Sequence, residues 1–162
     1  MWYHRRMKAK ITFNDGKEIN LELYPDIAPK SVERFVGLAR AGYYNGTCFH
    51  RIIDRFMIQG GGMKAFVDEV ERKELPAEFA QPIKGEFDAN GVKNPLKHTK
   101  GVLSMARTMI NDSATSQFFI CVADVGHLDG QYAAFGKCVA QSDIDVAVAI
   151  GKVATGDRKS VV

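Results

Sequence analysis

Residues 18–24 carry a plain alternation. Ile19, Leu21 and Leu23 interleave with Glu18, Asn20 and Glu22, the period of two that a half-buried strand shows. Residues 8–13 read as a strand before it, and Asn14-Asp15-Gly16 between them predicts a hairpin, because these residues tolerate positive φ. From 29 to 41 the period changes. Val32, Phe35, Val36 and Ala39 fall at i, i+3, i+4 and i+7, so the spacing predicts a helix with one apolar, core-facing stripe. Pro29 suits its first turn and Gly42 its end. After the Asn45-Gly46 turn, 48–53 and 56–59 read as strands joined at Asp54-Arg55. Gly60-Gly61-Gly62 is expected to end that pattern. Residues 101–106, 117–122 and 134–139 read as three further strands, with Leu128-Asp129-Gly130 as a turn between the last two. Residues 143–150 read as a second helix, with Ser142 as its N-cap. The stretch 63–100 shows no sustained periodicity and is punctuated by Pro76, Pro82 and Pro95. A loop of that length is either functional or packed on its own Phe79, Phe87 and Leu96, and the pattern leaves both open. Many short strands with two helices predict a β-barrel or sandwich with helical lids.

The chain has 162 residues, enough for one domain around one core. With 22 Lys and Arg against 19 Asp and Glu, its net charge is +3, too little and too scattered to call for a nucleic acid. The basic cluster His4-Arg5-Arg6 with Lys8 and Lys10 reads as solvated, and residues 1–7 as an extension ahead of a domain at 8–162. Three cysteines, Cys48, Cys121 and Cys138, make an odd count without short spacing. They argue against a disulfide framework and for a reducing compartment; Cys121 and Cys138 sit in apolar runs and read as buried, inert thiols. No run approaches the roughly 20 apolar residues of a membrane span, and no signal-like apolar run follows the first residues. The expectation is a cytoplasmic protein that binds no membrane.

The four histidines, His4, His50, His98 and His127, have no metal-site spacing. No nucleophile elbow or phosphate-binding loop is present. An enzyme built on this chain is therefore expected to use no metal or covalent nucleophile. What stands out is the run from Phe49 to Gly61, which places an Arg, a Gln and large apolar residues on two adjacent strands. Alternation puts Phe49, Arg51 and Ile53 on one face and Cys48, His50 and Ile52 on the other, without saying which faces inward. Taken singly, each residue has an ordinary reading: Arg51 as solvated or ion-paired, Phe56-Met57 as core, Gln59 and Gln117 as solvated strand positions.

Together they resemble the cyclophilin signature, Phe49-His50-Arg51 followed by Phe56-Met57-Ile58-Gln59-Gly60-Gly61. Further stretches in the family's order are Leu23-Tyr24-Pro25, Ala28-Pro29-Lys30-Ser31-Val32, Gly42-Tyr43-Tyr44-Asn45-Gly46-Thr47, Leu103-Ser104-Met105-Ala106, Ser116-Gln117-Phe118-Phe119-Ile120, Leu128-Asp129-Gly130 and Phe135-Gly136-Lys137. The resemblance implies a mainly β fold, a closed antiparallel eight-stranded β-barrel capped by two α-helices with the active groove outside. The last strand is expected to be short or missing, because 159–162 does not read as one. It implies a peptidyl-prolyl cis/trans isomerase that assists protein folding, with Arg51 as the catalytic residue. Phe56, Met57, Phe119 and Leu128 resemble the proline pocket, Gln59 and Gln117 the partners of the substrate backbone, and Ala106 and Arg107 the stretch that pairs with the peptide. His127, Tyr132 and Arg107 stand where many members have Trp, His and Asn, and the Ala106-Arg107-Thr108 form resembles bacterial members. Tyr132 still forms a pocket wall, whereas His127 implies weak cyclosporin binding. Implied partners are proline-containing peptides and unfolded or folded client proteins, with the chain acting as a monomer. Two rivals remain: a module that grips proline segments without turnover, and a chaperone-like protein using the 63–100 loop as its contact surface.

Overall fold

The computed structural model describes residues 6–65 and 69–153. Strands β1 (Met7–Thr12) and β2 (Glu18–Leu23) pair antiparallel, Met7 opposite Leu23 and Thr12 opposite Glu18. Ile19, Leu21 and Leu23 are fully buried, as the alternation requires. Of the basic N-terminal cluster, Arg6 pairs with Glu22 at 3.2 Å and Lys10 with Glu18 at 3.4 Å; His4 and Arg5 lie outside the described residues.

Helix α1 spans Pro29–Arg40 and buries Val32, Phe35 and Leu38, while Ala39 of the expected stripe faces out. Its own N-cap, Ala28, offers no side-chain oxygen. The first-turn N–H groups are met instead by Glu86, from the long loop. Its buried carboxylate accepts the Lys30 N–H at 3.1 Å, the Ser31 N–H at 2.7 Å and the Ser31 hydroxyl at 2.8 Å. A carboxylate here meets both the orphan donors and the positive end of the helix dipole.

The remaining strands are β3 (Thr47–Ile53), β4 (Met57–Ala65), β5 (Val70–Arg72), β6 (Val102–Met105), β7 (Phe118–Cys121) and β8 (Ala134–Cys138), followed by helix α2 (Gln141–Gly151). The sheet runs β1-β2-β8-β6-β7-β4-β3, antiparallel throughout, with β5 added to β4. Eight strands and two helices match the expected class, but the closed barrel does not form among the described residues. The sheet is a curled, open half-barrel. β1 and β3 end the pairing path with no ladder between them; Phe13, just past β1, meets Phe49 at 5.9 Å between ring centroids. The eighth strand is β5. The question of a C-terminal strand at 159–162 lies outside the described residues.

Two further expectations change. Gly60-Gly61-Gly62 does not end β4, which runs to Ala65. The glycines let it approach its neighbours: a Cβ on Gly60 would lie 2.9 Å from the Cys48 carbonyl oxygen, and one on Gly62 2.6 Å from Gln117 Cγ. Helix α2 starts at Gln141, so Ser142 is not its N-cap. Asp143 reaches back to the Ala140 N–H at 3.0 Å, and its other oxygen accepts Asn20 N–H at 2.9 Å and Nδ2–H at 3.0 Å. One buried carboxylate thus starts the helix and docks it on β2.

The main core fills the concave side of the sheet under the helices, where Phe35 lies 5.2 to 5.4 Å from Tyr44, Phe118 and Phe135. A second, smaller cluster lies on the other side: Met57, Val102, Phe119, Cys121, Val125, Leu128 and Ala134. Because strand residues alternate, β7 sends Phe118 into the first and Phe119 into the second. The long loop is held by the body. Phe87 is buried, Phe79 and Leu96 half-buried, and Arg34 donates to the carbonyls of Phe79, Gln81 and Thr115.

Candidate active site

Strand β3 departs from simple alternation at one residue. Phe49 pairs with Gly60 and Arg51 with Gln59, so His50 is an extra residue, a β-bulge. A bulge re-aims the side chains on either side of it. Phe49 is fully buried in the main core while Arg51 is exposed, which corrects the expectation that the two share a face. Re-aimed, Arg51 heads a cross-strand row. It pairs with Gln59, Gln59 with Phe119, and Phe119 with Ser104.

Around this row lies a cleft lined by Arg51, Phe56, Met57, Gln59, Ala106, Arg107, Phe119, Leu128 and Tyr132. Gln117 adjoins it, accepting a hydrogen bond from Gln59 Nε2 at 2.9 Å. His127 is outside the lining and exposed, stacked on Phe56 at 5.7 Å and 29°. The structure thus brings all eleven sequence-predicted residues to one place: nine line the cleft and two support it.

Their surroundings differ. Arg51 has no ion-pair or hydrogen-bond partner among the described residues, so its donors are uncommitted. Arg107 is engaged: Nε and Nη2 donate to the Gln131 carbonyl at 3.1 and 2.7 Å, and Nη1 to Thr108 O at 2.8 Å. Its guanidinium also lies between Tyr132, at 4.5 Å, and Phe87, at 4.9 Å. Tyr132 in turn meets Phe119 edge-on at 5.7 Å and 87°.

Sequence reasoning missed the support beneath Phe119. The buried His98 ring stacks on Phe119 at 6.0 Å and 18°. Its Nδ1 lies 3.0 Å from Asp129 Oδ1 and its Nε2 2.9 Å from Ser104 Oγ. Asp129 Oδ1 also accepts the His98 backbone N–H at 2.6 Å, and the His98 carbonyl accepts the Val125 N–H at 2.9 Å. With a carboxylate at Nδ1, that nitrogen carries the hydrogen and Nε2 accepts from Ser104. Burial pushes the imidazole below the ordinary histidine range, partly offset by the Asp129 hydrogen bond and charge, so it is neutral at neutral pH. His98 thereby ties the loop to the turn carrying Leu128 and holds two walls of the cleft. A histidine without metal spacing gives no signal of this in sequence. Cys48, Cys121 and Cys138 are buried, and burial pushes the thiols of Cys121 and Cys138 up to about 12, the inert state expected.

A family model described as cyclophilin type peptidyl-prolyl cis-trans isomerase/CLD matches residues 8–162. The chain belongs to this family. It is 46% identical over 142 residues to peptidyl-prolyl cis-trans isomerase A of Dickeya dadantii, covering 85% of this chain and 67% of that protein. It is 39% identical over 153 residues to peptidyl-prolyl cis-trans isomerase B of Escherichia coli, covering 90% and 86%. In structure it resembles a cyclophilin-type isomerase of Cryptosporidium parvum crystallised in the presence of the dipeptide Ala-Pro. The TM-score is 0.72 at 25% identity, over 96% of this chain and 92% of that one. In this cyclophilin the cleft lies on the side of the curled sheet away from the main core, with the second cluster beneath it. No helix among the described residues is long and apolar enough to cross a membrane.

Proposed function

We propose that this cyclophilin catalyses cis/trans isomerisation of X-Pro bonds at the cleft on the outer face of β3, β4, β6 and β7, with Arg51 as the catalytic group. The observation that carries the reading is the uncommitted Arg51 guanidinium, set by the His50 bulge beside an apolar notch. Rotation about the amide meets a barrier of roughly 18–20 kcal/mol, and no bond need be made or broken. The twisted transition state loses resonance and leaves a lone pair on the prolyl nitrogen. Arg51 donates a hydrogen bond to that lone pair, which the planar ground state does not offer, so the interaction favours the transition state selectively. Arginine keeps its charge at any working pH. Such a bond is worth roughly 1.5–3 kcal/mol, or about 10- to 100-fold in rate.

The apolar walls supply a second effect. A twisted amide is less charge-separated than a planar one, so Phe56, Met57, Phe119, Leu128 and Tyr132 favour it while gripping the ring. Gln59 and Gln117, bonded to each other, hold the substrate backbone. The Ala106 N–H is committed to the Gln117 carbonyl at 3.0 Å, so pairing with a peptide falls to the Ala106 carbonyl and the Arg107 backbone. The arrangement asks for no cofactor. In this reading the protein acts as a cytoplasmic monomer on proline segments of unfolded and folded clients, a setting consistent with cysteines that form no disulfide.

The deciding test is isomerisation of a short Ala-Pro peptide. Arg51→Ala is expected to lose at least about 10-fold in kcat/KM with its fold intact. A folded variant with unchanged rates would refute the role of Arg51. Wild-type rates equal to buffer, with the peptide still bound, would leave a binding module. The exposed, stacked His127 offers cyclosporin less than an indole would, so weak inhibition is expected; nanomolar inhibition in titration would reject this.

A further inference from the structure

We propose that Met109 and Ile110 form a preformed apolar ridge that receives the polypeptide flanking the proline. The protein then favours extended substrates with large apolar side chains two to four residues from it. This rests on the isomerase reading above and adds a substrate class to it. Among the described residues, the exposed large apolar side chains are Ile53, Met109, Ile110 and Val139. Three of these four adjoin the cleft along the chain: Ile53 is two residues from Arg51, and Met109 and Ile110 are two and three from Arg107. Met109 is 95% exposed and Ile110 69%. Single exposed apolar residues need no explanation, but two stand side by side here, on the loop that leaves the cleft-lining Arg107.

The loop is built to hold them out. Ser113 Oγ accepts the Thr108 N–H at 2.9 Å and its hydroxyl at 2.8 Å, and donates to the Ile110 carbonyl at 2.6 Å. The Ile110 N–H donates to Thr108 Oγ1 at 3.2 Å, and Arg107 clamps the Thr108 carbonyl. The loop's acid, Asp112, is turned back to the body, accepting the Gly85 N–H at 3.0 Å and the Asn90 amide at 2.7 Å. Residues 108–111 therefore carry no charge, and the tip is ordered before any substrate arrives, which lowers the entropic cost of contact. Two residues of chain span at most about 7 Å, and an extended peptide advances about 3.3 Å per residue. A peptide that leaves Arg107 along this loop therefore has its neighbouring side chains within reach of Met109 and Ile110. An unfolded chain presents such side chains, whereas a folded one buries them.

The test uses two peptides with the same Ala-Pro core, one flanked on both sides by alanine and one by leucine at the second to fourth positions. Their kcat/KM and Kd are compared for wild type and for the double substitution Met109→Ser with Ile110→Ser. Wild type is expected to favour the leucine peptide about 10-fold, equivalent to about 1.4 kcal/mol. The double variant is expected to keep its rate on the alanine peptide and lose the preference. An undiminished preference in the variant, or none in wild type, would overturn the proposal. So would sedimentation showing a wild-type dimer that the substitutions dissolve, since a second copy would then be the occupant. If neither peptide is turned over, the isomerase reading fails, and the Kd ratio still judges the ridge.

Discussion

Replacing His98 tests how the cleft is held. In His98→Ala the hydrogen bond from Ser104 disappears, a loss of about 1 kcal/mol, and the bond to the Asp129 carboxylate, a loss of about 1.5–3 kcal/mol. The ring stack on Phe119 contributes about 0.5–1.5 kcal/mol. Asp129 keeps its bond from the backbone N–H of residue 98, so the total is about 3–5 kcal/mol. At a urea dependence of about 2 kcal/mol per molar, the unfolding midpoint falls by about 1.5–2.5 M. Phe119 and Leu128 lose their common support, so KM for an Ala-Pro peptide rises while Arg51 still acts on what binds. The pH profile separates this histidine from general damage. Burial holds its folded pKa below the unfolded value of about 6.5, despite Asp129 and with His127 adding to the depression. The unfolded chain therefore binds more protons as pH drops below about 6.5, and stability falls with it until the folded pKa is passed. His98→Gln retains a donor and an acceptor but does not titrate. Urea melts of wild type and His98→Gln between pH 7.5 and 5 should show the wild type losing more stability toward acid. Parallel profiles would refute the reasoning.

Two further substitutions probe other parts of the frame. Glu86→Ala removes three hydrogen bonds from the first turn of α1 and is expected to cost about 3 kcal/mol, with Glu86→Gln, which keeps one acceptor oxygen but no charge, losing an intermediate amount; a Gln variant as stable as wild type in urea melts would contradict the role of the charge. Arg55 holds φ at +62° in the turn before Phe56, a conformation that costs an L-residue about 1–2 kcal/mol. Arg55→Gly should therefore leave stability unchanged or raise it by up to about 1 kcal/mol, and a drop in Tm would refute the strain.

What could be read in advance follows from how local the cause is. β2 and α1 were legible because their periods are carried by their own residues, Ile19, Leu21 and Leu23 in one case and Val32 and Phe35 in the other. The grouping of Arg51, Gln59, Gln117 and Phe119 was legible only through the family resemblance, since each had an ordinary reading alone. The His50 bulge was hidden because alternation assumes one residue per step. Gly60 and Gly62 looked like breakers because what they accommodate, the Cys48 carbonyl and Gln117, comes from other strands. The roles of Glu86 and His98 depend on partners more than 50 residues away for the first and on three separate segments for the second. The missing closure between β1 and β3 is a property of the whole sheet.

β7 has no idle side. With Phe118 seated in the main core and Phe119 flooring the cleft, adjacent rings tie the cleft to the interior like two ends of one rivet. A loosened interior is felt in the cleft, and a ligand that presses on its floor presses on the fold. Stiffness at this site is inherited from the architecture rather than added to it, and selection for a firm notch and for a firm fold act here on the same strand.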